Sequence, residues 1–100
     1  MLSINKGIEN GKAVFSLEGR LDTTTAPELE KELNASLKDI NELTLDFEKL
    51  EYVSSAGLRV LLSTHKKMLA AGGTLTIANA VPAVREVFDI TGFSDILTLA

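Results

Sequence analysis

An α/β fold is predicted, a mixed β-sheet with α-helices packed on one face in the order β-β-α-β-α-β-α-β, and three observations carry it. Most predicted strands alternate apolar with polar residues, the period of a sheet that is dry on one side and wet on the other. Between the later strands the apolar spacing lengthens to that of amphipathic helices. Crossovers between parallel strands keep one hand, so crossovers that advance one way across the sheet put every helix on the same side.

The first strand is marked by Leu2 and Ile4 and the second by Ala13, Phe15 and Leu17, with Glu9-Asn10-Gly11 turning the chain between them as a hairpin. Thr25 followed by Glu28 reads as a capping box, and Ala26, Leu29, Leu33, Leu37 and Ile40 follow at helical spacing. The third strand is read over Leu43 to Phe47, with Leu43, Leu45 and Phe47 on one face, and Glu48 to Ser54 as the loop after it. A second helix is expected from about Ser55 to Ala71, with Leu58, Leu61, Leu62, Met68 and Leu69 inward and Gly72-Gly73 stopping it. Leu75 and Ile77 mark a fourth strand. Pro82 opens a third helix carrying Val84, Val87 and Phe88, Gly92 closes it, and Leu97 and Leu99 mark a short last strand.

With 100 residues, 45% of them apolar, the chain is read as one domain, 1–100, able to fold on its core without disulfides or metal staples. It has no Cys and a single His, His65, which excludes thiol nucleophiles, Cys-ligated metal sites and histidine clusters; no metal and no cofactor is expected. Ten Lys plus Arg against fourteen Asp plus Glu give a net charge of -4, the wrong sign for phosphate-driven binding, so no nucleic acid is expected. The first residues lack the apolar core of a secretory signal, and no apolar run approaches the roughly 18 residues that cross a bilayer. The expectation is a cytoplasmic protein with no direct membrane insertion.

The stretch EYVSSAGLRVLL, from Glu51, holds the candidate site. A serine at a helix entrance satisfies one orphan N–H and stabilises by ~1 kcal/mol. One serine is enough for that, and a glycine in the first turn costs roughly 1 kcal/mol of helix propensity relative to Ala. Ser54-Ser55-Ala56-Gly57 is a surface of minimal bulk that another protein can approach closely, and a substitution such as Gly57→Leu is expected to fold yet obstruct that approach. The positive end of the helix tolerates an added phosphate, whereas the same phosphate would break an interface with an acidic or tightly packed partner.

The segments LEGRLDTTTAPELEKEL, LDFEKLEYVSSAGLRVLL and AVPAVREVFDITGFSDIL resemble, in order and spacing across nearly the whole chain, the signature regions of the STAS domain family, most closely its bacterial anti-sigma factor antagonists. The resemblance implies a STAS fold, a sheet with helices on one face. It also implies partner switching in transcription regulation, by an anti-anti-sigma factor that binds an anti-sigma factor serine kinase and so releases a sigma factor. Such a phosphoprotein is inactivated by that kinase at a serine opening the second helix and restored by a serine/threonine phosphatase. The phosphorylated serine falls on Ser55, with Ser54 second, since many members carry aspartate where this chain has Ser54. Asp22 matches an acidic position beside that serine, and it also reads as a turn or helix-cap aspartate. The implied partner surface joins Asp22, Thr23, Thr24 and Thr25 to Ser54, Ser55, Ala56 and Gly57, and to the exposed side of the second helix, Arg59, Ser63 and Lys66.

Three other readings compete. A nucleophilic Ser55 needs a base within reach, but His65 lies ten residues along the same helix, some 15 Å away at 1.5 Å per residue. Neither a nucleophile elbow nor a P-loop is present, and Glu28, Glu30 and Glu32 are spaced as a solvated helix face; no enzyme is expected. Stand-alone STAS proteins also serve as regulatory subunits of membrane lipid-transport ABC complexes, and this is the alternative function. Small-ligand sensing has only Gly72-Gly73 in its favour, which is better explained as a helix stop.

Overall fold

The computed structural model describes residues 2–100, apart from the side chain of Asp39. Five strands form one sheet in sequential order: β1 (Leu2–Glu9), β2 (Lys12–Leu21), β3 (Glu42–Val53), β4 (Thr74–Ala78) and β5 (Thr98–Leu99). β1 runs antiparallel to β2, and the other three pairings are parallel, bridged by α1 (Ala26–Ser36), α2 (Ser55–Ala70) and α3 (Pro82–Thr91). The order and mixed sheet are those expected.

The hairpin forms because Asn10 and Gly11 both take positive φ, 50° and 79°, the backbone of the tight turn that matches strand twist. Ala13, Phe15, Leu17, Leu43, Leu45, Phe47, Leu75 and Ile77 are all buried, while Lys12, Val14 and Glu18, alternating with them on β2, are exposed. Leu29 and Leu33 of α1, Leu58, Leu61 and Met68 of α2, and Val84 and Phe88 of α3 cover the apolar face. Phe47 and Phe88 stack with ring centroids 6.3 Å apart, a contact worth roughly 0.5–1.5 kcal/mol beyond burial.

Four local expectations are corrected. β3 does not stop at Phe47: it continues to Val53, so Glu48 to Val53 is strand and Ser54 alone connects it to α2. Two register shifts each insert one residue of β3 against β2, and the inward positions become Phe47, Leu50 and Val53, three apart instead of two. The capping box does not form. Thr25 has helical backbone and its hydroxyl turns back to β2, accepting from the Asp22 N–H at 2.9 Å and donating to the Arg20 carbonyl at 2.8 Å. α1 ends at Ser36, a single 3-10 turn carries Leu37, and Ile40 is already extended. Leu69 is 58% exposed, and Val60 and Thr64 are buried in α2 instead.

These details position the site. Because β2 and β3 are parallel neighbours that end together, with Leu21 opposite Val53, the helices that follow them begin side by side. The Ser54 N–H donates to the Leu21 carbonyl at 2.8 Å, so the ladder runs unbroken to the entrance of α2.

Candidate functional site

The two serines have different tasks. Ser54 is the N-cap of α2, extended at φ -92° and ψ 173°, and its hydroxyl accepts the Gly57 N–H at 3.3 Å. Ser55 is the first helical residue and is exposed, and among the described residues its hydroxyl has no hydrogen-bond partner. Removing the cap with Ser54→Ala is expected to cost ~1 kcal/mol, lowering the melting temperature by about 4–8 °C, while Ser55→Ala stays within about 0.5 kcal/mol of wild type. Thermal melts of the pair decide it; equal losses would show that the cap is not confined to Ser54.

Gly57 is buried, and it faces inward rather than toward a partner. A Cβ built on it would lie 2.7 Å from Leu21 Cγ and 3.2 Å from the Leu21 carbonyl. The glycine is therefore needed by the close crossing of α2 over β2, and the expectation that a bulky residue there would leave folding intact is overturned.

Asp22 opens the neighbouring loop. Its carboxylate accepts the N–H groups of Thr24 at 3.0 Å and Thr25 at 3.1 Å, and the Asp22 carbonyl accepts the Ala26 N–H at 2.8 Å. It thus holds the turn that launches α1, the turn or cap role that was one of the two readings of Asp22 in the sequence. The Thr25 N–H, more than any other group, keeps this carboxyl below its ordinary pKa; desolvation opposes it, and the Thr24 N–H and the Thr25 hydroxyl add smaller lowering contributions. A carboxylate with a lowered folded pKa contributes stability above its unfolded pKa and loses it as pH falls through the folded one. Wild type is therefore expected to be more stable than Asp22→Asn at neutral pH, the gap closing in acid. Denaturant midpoints of both across pH test this; a gap independent of pH would remove the carboxylate charge from the account.

Thr23 and Thr24 are exposed beside this turn. Thr23, Ala26, Pro27 and Glu30 from the α1 side, with Ala56, Arg59, Val60 and Ser63 of α2, line one shallow groove of about 380 Å³. Ser55, Arg59 and Ser63 succeed one another at four-residue steps along α2, and exposed Lys66 extends that side. Pro27 and Glu30 were missed as groove residues, although they stand three apart on α1, the spacing of one helix face. His65 is half-buried with its Nδ1 unpartnered, as a residue at the edge of the apolar stripe, and it stands ten positions from Ser55 on the same helix.

An antiparallel hairpin, parallel strands advancing in order and three covering helices bring a small-residue serine entrance beside an aspartate turn. The STAS domain family model matches residues 3–100, and the chain belongs to that family. The protein designated BtrV of Bordetella bronchiseptica, by name a candidate anti-sigma factor antagonist, is 39% identical over 92 residues, covering 91% of this chain and 79% of its own. The anti-sigma-B factor antagonist of Bacillus subtilis is 29% identical over 85 residues, covering 85% and 78%. Among solved structures, an anti-sigma factor antagonist from Mycobacterium paratuberculosis superposes with a TM-score of 0.88 at 28% identity, covering 99% of this chain and 85% of that one. Unphosphorylated SpoIIAA, also an anti-sigma factor antagonist, gives 0.79 at 19% identity over 98% and 87%, a likeness of fold. Among the described residues no helix is long and apolar enough to cross a membrane.

Proposed function

We propose that this chain is an anti-sigma factor antagonist that binds an anti-sigma factor serine kinase, thereby releasing a sigma factor, and is switched off by phosphorylation at Ser55. The names of its relatives support the first half. One observation carries the second: Ser54 supplies the cap, so the Ser55 hydroxyl is left exposed and uncommitted at the first position of the helix. In the reaction the Ser55 oxygen attacks the terminal phosphoryl of ATP held by the kinase, the bond to ADP breaks and the hydroxyl proton is lost. A serine/threonine phosphatase hydrolyses the ester and restores the binding form.

This chain supplies no catalytic residue; it presents a substrate hydroxyl on a rigid helix entrance. The contact surface is Thr23, Thr24, Ser55, Ala56, Arg59 and Ser63 around the α1–α2 groove, with Asp22, Ser54 and Gly57 holding its shape. The cytoplasm, where sigma factors act, is the proposed compartment. The test is affinity capture from native lysate with ATP, using wild type and Ser55→Asp as baits. An ATP-binding serine kinase retained by wild type and lost by Ser55→Asp supports the reading. A membrane lipid-transport ABC complex held equally by both would replace it with the transport-subunit role.

A further inference from the structure

We propose that Arg59 clamps the phosphate carried by Ser55, so that phosphorylation withdraws a cation from the partner groove at the same time as it adds negative charge there; this rests on the reading of Ser55 as the phosphorylated residue. Ser55 and Arg59 are both exposed and stand one turn apart on α2. Side chains four apart lie over one another at about 5–6 Å between Cβ atoms, and a helical side chain leans toward the N-terminus, which aims Arg59 at Ser55. The acid-before-base order is also the favourable one for such a pair.

Arg59 is available for the task. It makes no ion pair among the described residues, although Glu30 lines the same groove. The first turn of α2 contains no acidic residue to compete for it, and the Asp22 carboxylate is engaged by the Thr24 and Thr25 N–H groups. A guanidinium offers a planar pair of donors that fits phosphate, which carries nearly two charges where Glu30 carries one. Lys66 lies eleven residues from Ser55, some 16 Å along the axis, so it cannot substitute.

Unmodified, the groove then presents Arg59 to a partner. Modified, the same guanidinium is turned back onto its own chain. The switch therefore acts twice at one place, and its strength depends on a residue that is neither modified nor catalytic.

The experiment is a phosphorus NMR titration of the full chain carrying genetically encoded phosphoserine at position 55, in wild type, Arg59→Gln, Arg59→Lys and Lys66→Gln backgrounds. It needs no kinase and no partner, so it succeeds or fails independently of partner identity. The second phosphate pKa is expected to rise by about half a unit in Arg59→Gln, to recover partly in Arg59→Lys, and to stay at the wild-type value in Lys66→Gln. Identical titration of wild type and Arg59→Gln, or an equal rise in Lys66→Gln, would overturn the clamp. Circular dichroism checks that each variant is folded; should Arg59→Gln lose its fold, Arg59→Ala replaces it, where a rise of about half a unit supports the clamp and a titration equal to wild type overturns it.

Discussion

Gly57→Leu is expected to destabilise the protein by about 3 kcal/mol, a large share of the roughly 5–15 kcal/mol that holds a domain folded. The reason lies in the crossing of α2 over the end of β2. A single added carbon at Gly57 would stand 2.7 Å from Leu21 Cγ and 3.0 Å from its Cδ2, with the Leu21 carbonyl at 3.2 Å. Leu21 is wholly buried, and its carbonyl already accepts the Ser54 N–H, so neither side chain nor backbone has room to retreat. Lifting α2 to make space would pull Leu58 and Leu61 out of the core and break the bond that seats the helix entrance. Gly57→Ala sharpens the argument, since alanine gains about 1 kcal/mol of helix propensity over glycine. The crowding is expected to outweigh that gain, giving a net loss of about 1–2 kcal/mol. Urea denaturation of wild type, Gly57→Ala and Gly57→Leu gives the order; an alanine variant as stable as wild type would mean that Leu21 moves aside and that the glycine answers to something outside the fold.

Why the packing task of that glycine is hidden in the sequence, while the helix entrance at Ser54-Ser55 is plain in it, follows from how far each cause lies along the chain. The cap at Ser54 bonds to Gly57 within its own turn, and the hairpin depends on the adjacent Asn10 and Gly11, so both are visible in a few consecutive residues. The wall that Gly57 meets belongs to Leu21 on another strand, and nothing near Gly57 announces it. β3 shows the same limit differently. Its inward residues beyond Asp46 are Phe47, Leu50 and Val53 because two bulges against β2 add a residue each, and a spacing of three does not look like a strand to a period-2 reading. The Thr25–Glu28 pattern was local but ambiguous, since Asp22, three residues earlier, offers a stronger acceptor for the same turn. The groove was legible on its α2 side, through Arg59 and Ser63, and only partly on its α1 side, where Pro27 and Glu30 become groove residues through the neighbouring helix.

Ser55→Asp is expected to leave the fold intact and weaken capture of the anti-sigma factor by at least about 100-fold, equivalent to roughly 2.7 kcal/mol. The two halves have separate causes. Ser55 is exposed at the first position of α2, its hydroxyl holds nothing among the described residues, and an anion there meets the positive end of the helix, a gain of about 0.3–1 kcal/mol. Its melting temperature is therefore expected to equal or slightly exceed that of wild type. The proposed interface, by contrast, rests on a small uncharged entrance beside a groove that Arg59 lines. A carboxylate at Ser55 would sit buried and unpaired against the partner, or would draw Arg59 away from it, and either outcome costs binding energy that the free domain never loses. Isothermal titration with the purified anti-sigma factor, beside thermal melts of the same samples, separates the two. Unchanged affinity with an unchanged melt would remove Ser55 from the interface. A collapsed melt would instead show that the helix entrance cannot hold an anion, and a site that cannot hold an anion cannot be switched by phosphate.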